Sequence, residues 1–321
     1  SYNTVKITEK FTAGKTLFAF ELLPPLKGDN IETVFDTIGR LAPYEPGYIN
    51  ITYHREEVKL IDRADGLLER RVVRKRPGTV GIAAAIRARY GIDVVPHLIC
   101  GGFSKFDVED ALIDLHFLGI DNVLALRGDN IRGERLFQPA ANGHRHAEDL
   151  VRQIVAMNRG EYLDSELEHA APTSFCVGVA GYPEKHAEAP NLAADIAHLK
   201  AKVEAGAEYV VTQMFFDNAR FFAYVEACRA AGITVPIVAG LKPFTTKTQL
   251  SLLPQTFGVN LPEELVRAVE GCRDNAEVRE VGIEWAVQQG RELIAAGVPA
   301  LHFYTMGKAD NVERIARALF G

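Results

Sequence analysis

The sequence contains few cysteines and no long hydrophobic segment. Its four cysteines among 321 residues are far apart and form no C-x-x-C pair, which disfavours both a disulfide framework and a zinc site. We therefore expect reduced thiols that pack as small apolar residues. A run of about eighteen apolar residues and a signal-peptide core are both lacking, so the sequence predicts a cytoplasmic protein without a membrane-bound segment. The cysteines are Cys100, Cys176, Cys228 and Cys272.

Neither positive nor negative charge is present in large excess. The formal net charge is −6, and 47% of the residues are hydrophobic against 24% that are charged. This composition is typical of a globular protein with a sizeable core. The one dense basic run, RRVVRKR at Arg70 to Arg76, predicts a solvated helix end or loop rather than a nucleic-acid-binding arm. We therefore expect no nucleic-acid partner.

Local motifs of several enzyme classes are missing. No G-x-G-x-x-G follows the first apolar run, which disfavours a Rossmann domain, and no G-x-S-x-G supplies a serine nucleophile. H-E-x-x-H is absent as well. Five residues could in principle supply metal ligands, but their separations match no known ligand spacing, so an organic cofactor is favoured over a metal. They are Glu21, His97, Asp129, His186 and His302.

Eight short apolar runs alternate with longer segments of helical period. Nearly continuous apolar strands separated by helices are typical of parallel strands that are buried on both faces. Eight such units fit a closed barrel better than an open doubly wound sheet. We therefore predict an α/β fold, an eight-stranded parallel β/α (TIM) barrel, in which residues 1–321 form a single catalytic domain. The predicted strands are Leu17–Leu23, Tyr48–Tyr53, Asp93–Cys100, Asn122–Gly128, Ser174–Pro183, Tyr209–Phe216, Pro236–Pro243 and Ala300–Met306.

The segments between these runs carry helix-boundary signals. Ser104 is a candidate N-cap, and Gly206 and Gly232 stand where helices should end. Two successive helical segments predict extra helices before the last strand, and the residues ahead of the first strand predict an N-terminal extension. The predicted helices are Ile31–Leu41, Lys105–Leu118, Asn191–Ala205, Asn218–Ala231, Leu261–Cys272, Ala276–Ala296 and Asn311–Phe320.

The first predicted strand, within LFAFELLPPLKGDN, contains a single carboxylate, Glu21. Pro24 and Pro25 end this strand, so Glu21 lies near its C-terminal end, where β/α barrels build their active sites. Burial disfavours an ionised carboxylate and raises its pKa. The apolar neighbours of Glu21 therefore predict a carboxyl group that stays protonated and can act as a general acid.

Every predicted strand has polar side chains near its C-terminal end, and this convergence favours an enzyme. Taken singly, His97 and His302 are more typical of hydrogen-bonded core residues, and Lys202 is more typical of a solvated helix face. Arg127 and Asp129 are compatible with either an ion pair or an anion site. The residues near the strand ends are Glu21, Thr52, Tyr53, His97, Arg127, Asp129, Tyr182, His186, Gln213, Lys242, His302 and Tyr304.

Seven motifs occur in order between about Lys15 and Phe320, namely FELLPP, NITY, PHLIC, LALRGD, VAGYPEKHAEA, VTQMFFD and HFYTM. Together they resemble the methylenetetrahydrofolate reductase family, in the bacterial form that has a catalytic barrel and no regulatory domain. The resemblance implies a β/α barrel that binds FAD noncovalently and reduces 5,10-methylenetetrahydrofolate to 5-methyltetrahydrofolate with NADH or NADPH. It further implies ping-pong kinetics through one shared pocket, a role in methionine biosynthesis and a homo-oligomer.

The resemblance also implies roles for individual residues. Glu21 matches the catalytic acid, which protonates the bridging nitrogen of folate, and Asp129 matches a catalytic aspartate near the flavin pyrimidine. Lys308 stands where bacterial relatives commonly have an arginine that contacts the folate tail. Residues that match folate contacts are Glu21, Gln213, Gln249 and Lys308. Residues that match FAD or nicotinamide contacts are Thr52, Tyr53, His97, Arg127, Gly128, Asp129, Ala147, Tyr182, His186, Asp195 and Lys202.

Three other interpretations stay open on the sequence alone. Another flavin-dependent barrel, such as a proline dehydrogenase, would not need Gln213 and Gln249 to hold a pterin. A metal-dependent aldolase or hydrolase would contain bound metal after purification. A regulatory or assembly subunit on the same fold has no need of an acid, so Glu21 together with Asp129 argues against it.

Overall fold

Eight parallel strands close into a barrel in the computed structural model, which describes residues 5–129, 135–305 and 309–321. The last barrel strand pairs with the first, from Leu17 opposite Ala300 to Glu21 opposite Tyr304. The predicted eight-stranded β/α barrel is therefore confirmed. The barrel strands are β1 (Leu17–Leu22), β2 (Tyr48–Ile51), β5 (Val94–Ile99), β6 (Asn122–Leu126), β7 (Cys176–Gly181), β8 (Tyr209–Thr212), β9 (Ile237–Leu241) and β10 (Ala300–Tyr304). Two further strands, β3 (Glu57–Asp62) and β4 (Leu68–Val73), lie outside the barrel.

Helices form most of the connections between the barrel strands, and several begin or end at the residues that the sequence indicates. Ser104 and Asp107 bond reciprocally, side chain to backbone N–H, in a capping box. Gly206 and Gly232 follow their helices with positive φ. The helices are α1 (Ile7–Lys10), α2 (Glu32–Leu41), α3 (Thr79–Tyr90), α4 (Lys105–Phe117), α5 (Ala147–Asn158), α6 (Leu192–Glu204), α7 (Asn218–Ala230), α8 (Gln249–Phe257), α9 (Glu263–Glu270), α10 (Asn275–Ala295) and α11 (Asp310–Phe320). Of these, α1, α3, α5 and α8 are not among the predicted helices, and α8 contains a proline.

All eight predicted strands run past the observed C-terminal ends, in part because some of the residues that follow are apolar but belong to loops. The run Tyr209–Phe216 predicts one strand, whereas β8 ends at Thr212. Met214 and Phe216 lie beyond that end, in a buried cluster with Leu265 of α9. Packing of a loop against the additional helices therefore explains these apolar residues.

Arg74 to Arg76 lie in a loop, as predicted, but the prediction was wrong for the first four residues of the basic run, which form a strand. These four residues belong to β4, which pairs antiparallel with β3 in a hairpin between β2 and α3. The register places Val58 opposite Val72, and both side chains are exposed. With no buried face, the apolar residues of the hairpin do not show the one-sided alternation that identifies a strand in a sequence.

The barrel interior is closed by apolar residues at the N-terminal ends of its strands. Ala19, Tyr48 and Val95 belong to the cluster that fills it. Ile7 of α1 is 0% exposed and packs in the same cluster, and its N–H donates to Oδ1 of Asn122 at 2.8 Å. A molecule that enters the barrel must therefore approach from the C-terminal ends of the strands, where the polar residues lie.

All four cysteines are buried, and each carries a free thiol. Across residues 5–129, 135–305 and 309–321, no helix is long and apolar enough to cross a membrane. The same three segments contain no group of three or more His, Cys, Asp or Glu side chains that is placed to hold a metal ion.

Candidate active site

A carboxylate and two imidazoles meet near the C-terminal end of the barrel. Glu21 on β1 places Oε1 3.7 Å from Nε2 of His97 on β5 and 3.6 Å from Nε2 of His302 on β10. The histidines are 3% and 1% exposed, whereas the Glu21 side chain keeps 17% of its surface accessible. Of these three groups, the carboxylate is therefore the one that a bound molecule can reach. His302 is buried as expected of a core residue, but it also faces the site.

The expectation that apolar surroundings keep Glu21 protonated was wrong. Burial raises the pKa of Glu21, but the approach of His302 and the neighbouring His97 and His54 lower it by more, so the net shift of the pKa is downward. The pKa of His97 is lowered to about 4, mainly because burial disfavours the imidazolium. At neutral pH the site therefore holds an ionised Glu21 beside a neutral His97.

Arg127, just beyond β6, pairs with Glu188 rather than with Asp129. Its Nη1 and Nη2 donate to the Glu188 carboxylate at 2.5 and 3.3 Å, and its guanidinium lies 4.9 Å from the centre of the Phe137 ring. The hydrogen bond from Arg127 lowers the pKa of Glu188. Asp129 is exposed, so its carboxylate is open to a ligand. Of the two interpretations of Arg127 and Asp129, the ion pair is therefore wrong.

The backbone near β6 permits close approach of a ligand at two points. Gly128 has a φ of +86°, and an added Cβ would lie 3.2 Å from Ile99, so a side chain is disfavoured there. Ala147 is the first residue of α5, and the N-cap residue His146 makes no side-chain cap bond. The first N–H groups of α5 therefore lack this internal partner.

Four further residues of the predicted cofactor site lie together beyond β7. The backbone N–H of His186 donates to Oδ2 of Asp195 at 2.9 Å, and the rings of Tyr182 and His186 meet edge to face with centroids 4.7 Å apart. Lys202 on α6 donates from Nζ to the carbonyl of Ala180 at 2.8 Å, and burial lowers its pKa to about 8. Lys202 therefore reaches the barrel, and its interpretation as a solvated helix residue was wrong.

Gln213 and Gln249, which are predicted to hold folate, follow two different barrel strands, β8 and β9. Gln213, just beyond β8, accepts at Oε1 from the N–H of Met214 at 3.0 Å. Gln249 is the first residue of α8 and accepts at Oε1 from the N–H of Thr245 at 2.8 Å. Both side chains thus hold loops that follow barrel strands. Lys308 lies outside the described residues.

The side chains of Thr52 and Tyr53, which follow β2, contact different parts of the structure. Thr52 donates from Oγ1 to the carbonyl of Leu22 at 3.3 Å, and its Oγ1 lies 3.4 Å from Nε2 of His54. Tyr53 packs edge-on against Phe103, with ring centroids 4.9 Å apart, and lines a cavity of about 440 Å³ between α3 and α4. The structure therefore does not bring the Tyr53 ring together with Glu21.

Two polar residues of the site were not assigned from the sequence. Asn50 on β2 is 2% exposed, and its amide lies between His97 and His302. A buried amide needs several partners, and that signal could have identified Asn50 within its apolar strand. Arg55 has its Nη1 buried, with no hydrogen-bond partner in the described part of the chain. No local motif marks Arg55.

Comparison with known proteins finds similar sequences along nearly the whole chain. The family model named methylenetetrahydrofolate reductase matches residues 6–319. Methylenetetrahydrofolate reductase 1 of Schizosaccharomyces pombe is 33% identical over 95% of this chain and 46% of its own length. The 5,10-methylenetetrahydrofolate reductase of Pectobacterium carotovorum is 30% identical over 95% of this chain and 91% of its own length. The chain thus spans about half the length of its yeast and plant relatives and most of the length of the bacterial one.

One solved structure covers almost the same length as this chain. It is a Clostridium thermocellum protein described as binding two copies of 5-methyl-5,6,7,8-tetrahydrofolic acid, and it aligns with a TM-score of 0.55 at 13% identity. The alignment covers 98% of this chain and 96% of that protein. At this low identity the likeness concerns the fold alone.

Proposed function

The chain belongs to the methylenetetrahydrofolate reductase family, and we propose that it reduces 5,10-methylenetetrahydrofolate to 5-methyltetrahydrofolate with NADH or NADPH through bound FAD. The observation that carries the proposal is the position of Glu21 beside His97 and His302, in a chain that matches the family over residues 6–319. We further propose ping-pong kinetics, a cytoplasmic homo-oligomer and a product that serves methionine biosynthesis.

The polar groups beyond β2, β5 and β6 fit a flavin dinucleotide. Nη1 of Arg55 is buried without a hydrogen-bond partner within the described segments, which is unfavourable unless an anion binds there. The Arg55 guanidinium lies against Gly101 and Gly102, where an added Cβ would come within 3.5 Å of it. Together with Arg127 and Gly128, these residues combine positive charge with backbone that carries no side chain, which suits the phosphates of FAD.

When bound, FAD would supply hydride transfer between the nicotinamide and the folate. The protein would supply binding, orientation and a proton. Lys202 and Arg127 would provide positive charge to the dinucleotide, and Asp129 would lie beside the flavin ring. The residues proposed to hold FAD or the nicotinamide are Thr52, Tyr53, His97, Arg127, Gly128, Asp129, Ala147, Tyr182, His186, Asp195 and Lys202.

Glu21 would give a proton to the bridging nitrogen of folate, which opens the five-membered ring and makes the one-carbon unit an acceptor of hydride. Gln213 and Gln249 would hold the pterin, because side-chain amides can pair with its donor and acceptor groups. Lys308 would contact the acidic tail of folate as a point charge.

The downward shift of the Glu21 pKa sets a condition on this role. Glu21 is ionised at neutral pH in the ligand-free barrel, so it must take up its proton in the complex with folate. A pterin that covers the accessible 17% of the carboxylate would remove it from water, and further burial raises a carboxyl pKa. Substrate binding itself would therefore favour the protonated acid.

Anaerobic half-reactions test the proposed function. The FAD-loaded protein should lose its flavin absorbance when NADH or NADPH is added and regain it when methylenetetrahydrofolate follows, with formation of 5-methyltetrahydrofolate. Both reductants are compared, because an Arabidopsis thaliana relative is named for NADH and a Caenorhabditis elegans relative is named for NADPH. Failure to bind FAD, or a reduced flavin that folate does not reoxidise, would contradict the proposal. Bleaching by proline would favour the other flavin barrel instead.

A further inference from the structure

Asn50 connects the two histidines that lie beside Glu21. Its Nδ2 lies 3.3 Å from Nδ1 of His302, and its Oδ1 lies 3.1 Å from Nε2 of His97. Asn50, His97 and His302 are each at most 3% exposed, so bulk water does not compete for these bonds. Asn50 is also paired in register with Glu21 across β1 and β2. A single amide thus contacts both imidazoles that approach the carboxylate.

The amide determines which nitrogen of each ring carries the proton. An amide NH₂ group can only donate, so Nδ1 of His302 accepts and the ring proton lies on Nε2. An amide oxygen can only accept, so the proton of neutral His97 also lies on Nε2. These two N–H groups are the ones nearest Oε1 of Glu21, at 3.6 and 3.7 Å.

The opposite orientation of the amide would oppose the carboxylate. If Oδ1 of Asn50 faced His302, Nδ1 of His302 would have to donate, and the Nε2 lone pair would point at Oε1 of Glu21. That Nε2 atom is buried and has no other hydrogen-bond partner among residues 5–129, 135–305 and 309–321. An unpaired lone pair against an ionised carboxylate is unfavourable, so the orientation that directs N–H groups at Glu21 is preferred.

We propose that Asn50 is a positioning residue, which holds His97 and His302 in their Nε2–H tautomers and so directs two N–H groups at Oε1 of Glu21. The proposal rests on the proposed function, because its effect on catalysis passes through Glu21 as the proton donor. Separations of 3.6 and 3.7 Å are longer than a normal hydrogen bond, so the N–H groups orient the carboxylate without binding it tightly. Since both rings approach Oε1, Oε2 is the oxygen that would present the proton to folate.

Long-range ¹H–¹⁵N NMR of the FAD-loaded protein tests the tautomers directly, because protonated and unprotonated ring nitrogens differ strongly in ¹⁵N shift. The signals of the nine histidines are assigned with His97→Gln and His302→Gln variants. We expect each ring, in its neutral form, to carry its proton on Nε2. A wild-type spectrum in which either ring is protonated on Nδ1 would overturn the proposal, whatever the activity of the protein.

Asn50→Asp keeps the shape of the side chain and replaces the donor with an acceptor. A carboxylate at this position accepts from Nδ1–H of His302, so we expect Nδ1 of His302 to become protonated in this variant. Asn50→Ala removes both bonds and serves if Asn50→Asp does not fold. In the alanine variant we expect His302 to populate more than one tautomer. Wild-type tautomers in the folded variants would overturn the proposal.

Half-reaction kinetics distinguish positioning from structural support. We expect Asn50→Asp to slow the folate half-reaction at least about tenfold and the nicotinamide half-reaction less than about twofold. The matched control is Asn122→Asp, because Asn122 is a second buried asparagine, 1% exposed, bonded to Val5 and Ile7 at the other end of the barrel. It should lower the unfolding midpoint and leave the tautomers and the folate half-reaction unchanged.

Equal slowing of the folate half-reaction by both aspartate variants, or no slowing by Asn50→Asp, would overturn the positioning role. If the wild-type protein does not reduce folate at all, the proposed function fails. The NMR measurement decides on the tautomers independently of that result, so the two failures are distinguishable.

Discussion

Glu21 and His302 lie on the first and last strands of the barrel, and closure of the sheet brings Oε1 of Glu21 to 3.6 Å from Nε2 of His302. In the register of these strands Ala19 is opposite His302, so Glu21 lies two residues further along and on the same face. Residues so distant in the chain meet only when the barrel closes. The proton-donating site proposed for this protein is therefore a product of closure, not of a local motif.

Glutamine in place of Glu21 should separate the two half-reactions. The amide keeps the size of the side chain but has no carboxyl proton to give to folate. We expect flavin reduction by NADH or NADPH near the wild-type rate, and a folate half-reaction slowed by about a hundred- to ten-thousand-fold. Stopped-flow flavin absorbance measures both. Glu208→Gln, beside Lys6 and remote from Glu21, is the control and should slow neither. Equal slowing of both half-reactions in Glu21→Gln would rule out the acid role.

Asn in place of Asp129 should change the flavin potential and the folate half-reaction more than it changes the oxidation of the nicotinamide. Asp129 is exposed just beyond β6, and removal of its negative charge at the proposed flavin site should make a bound flavin easier to reduce. We expect a more positive flavin potential and a slower folate half-reaction, with little change in nicotinamide oxidation. Potentiometric titration and single-turnover kinetics measure these effects. An unchanged folate half-reaction would remove Asp129 from the mechanism.

Acid should destabilise the protein through His97. Its pKa is lowered to about 4 from 6.5, so between these values the unfolded chain binds a proton that the folded chain does not. Stability therefore rises with pH in this window, and up to about 3 kcal/mol is lost on acidification from 6.5 to 4. Urea unfolding across the window measures the slope. His97→Gln should flatten the slope, and His169→Gln, at an exposed position, should not.

The barrel could be predicted from the sequence, because eight apolar runs alternate with helical segments and the strands are buried on both faces. The ends of the strands could not, since loop residues such as Met214 and Phe216 are as deeply buried as strand residues. The hairpin of β3 and β4 was missed for the opposite reason. Its apolar residues, such as Val58 and Val72, are exposed, so they do not alternate with polar residues in the way that identifies a strand with one buried face.

The position of Glu21 in the site could also be predicted, but not its protonation. Its apolar strand neighbours indicate burial, and burial does raise its pKa. The groups that reverse the shift, His302 and His97, come from other strands, and their tautomers depend on Asn50 of a third. Neither composition nor spacing within one strand contains this information.

Methionine in place of Arg55 should weaken FAD binding. Nη1 of Arg55 is buried and has no hydrogen-bond partner in the described part of the chain, which is unfavourable in the absence of a ligand. A phosphate of FAD that accepts a hydrogen bond from Nη1 would remove this cost, and FAD would therefore bind more tightly. We expect the dissociation constant for FAD to rise at least about tenfold, which corresponds to the loss of one charge-assisted hydrogen bond. Fluorescence titration of the apoprotein measures it. Arg70→Met, on the exposed face of the hairpin, should leave the constant unchanged.

FAD binding should weaken as the pH rises through about 8, because Lys202 then loses its proton. Burial lowers the pKa of Lys202 to about 8, and the neutral amine no longer attracts the phosphates of FAD. Lys202→Met should bind FAD more weakly near neutral pH and should lose this pH dependence. Flavin fluorescence titrations between about pH 7 and pH 9 measure both effects. Lys200→Met is the matched control, since Lys200 is exposed on the same helix, α6, and should keep the wild-type profile. A pH dependence that persists in Lys202→Met would assign it to another group and remove Lys202 from the phosphate site.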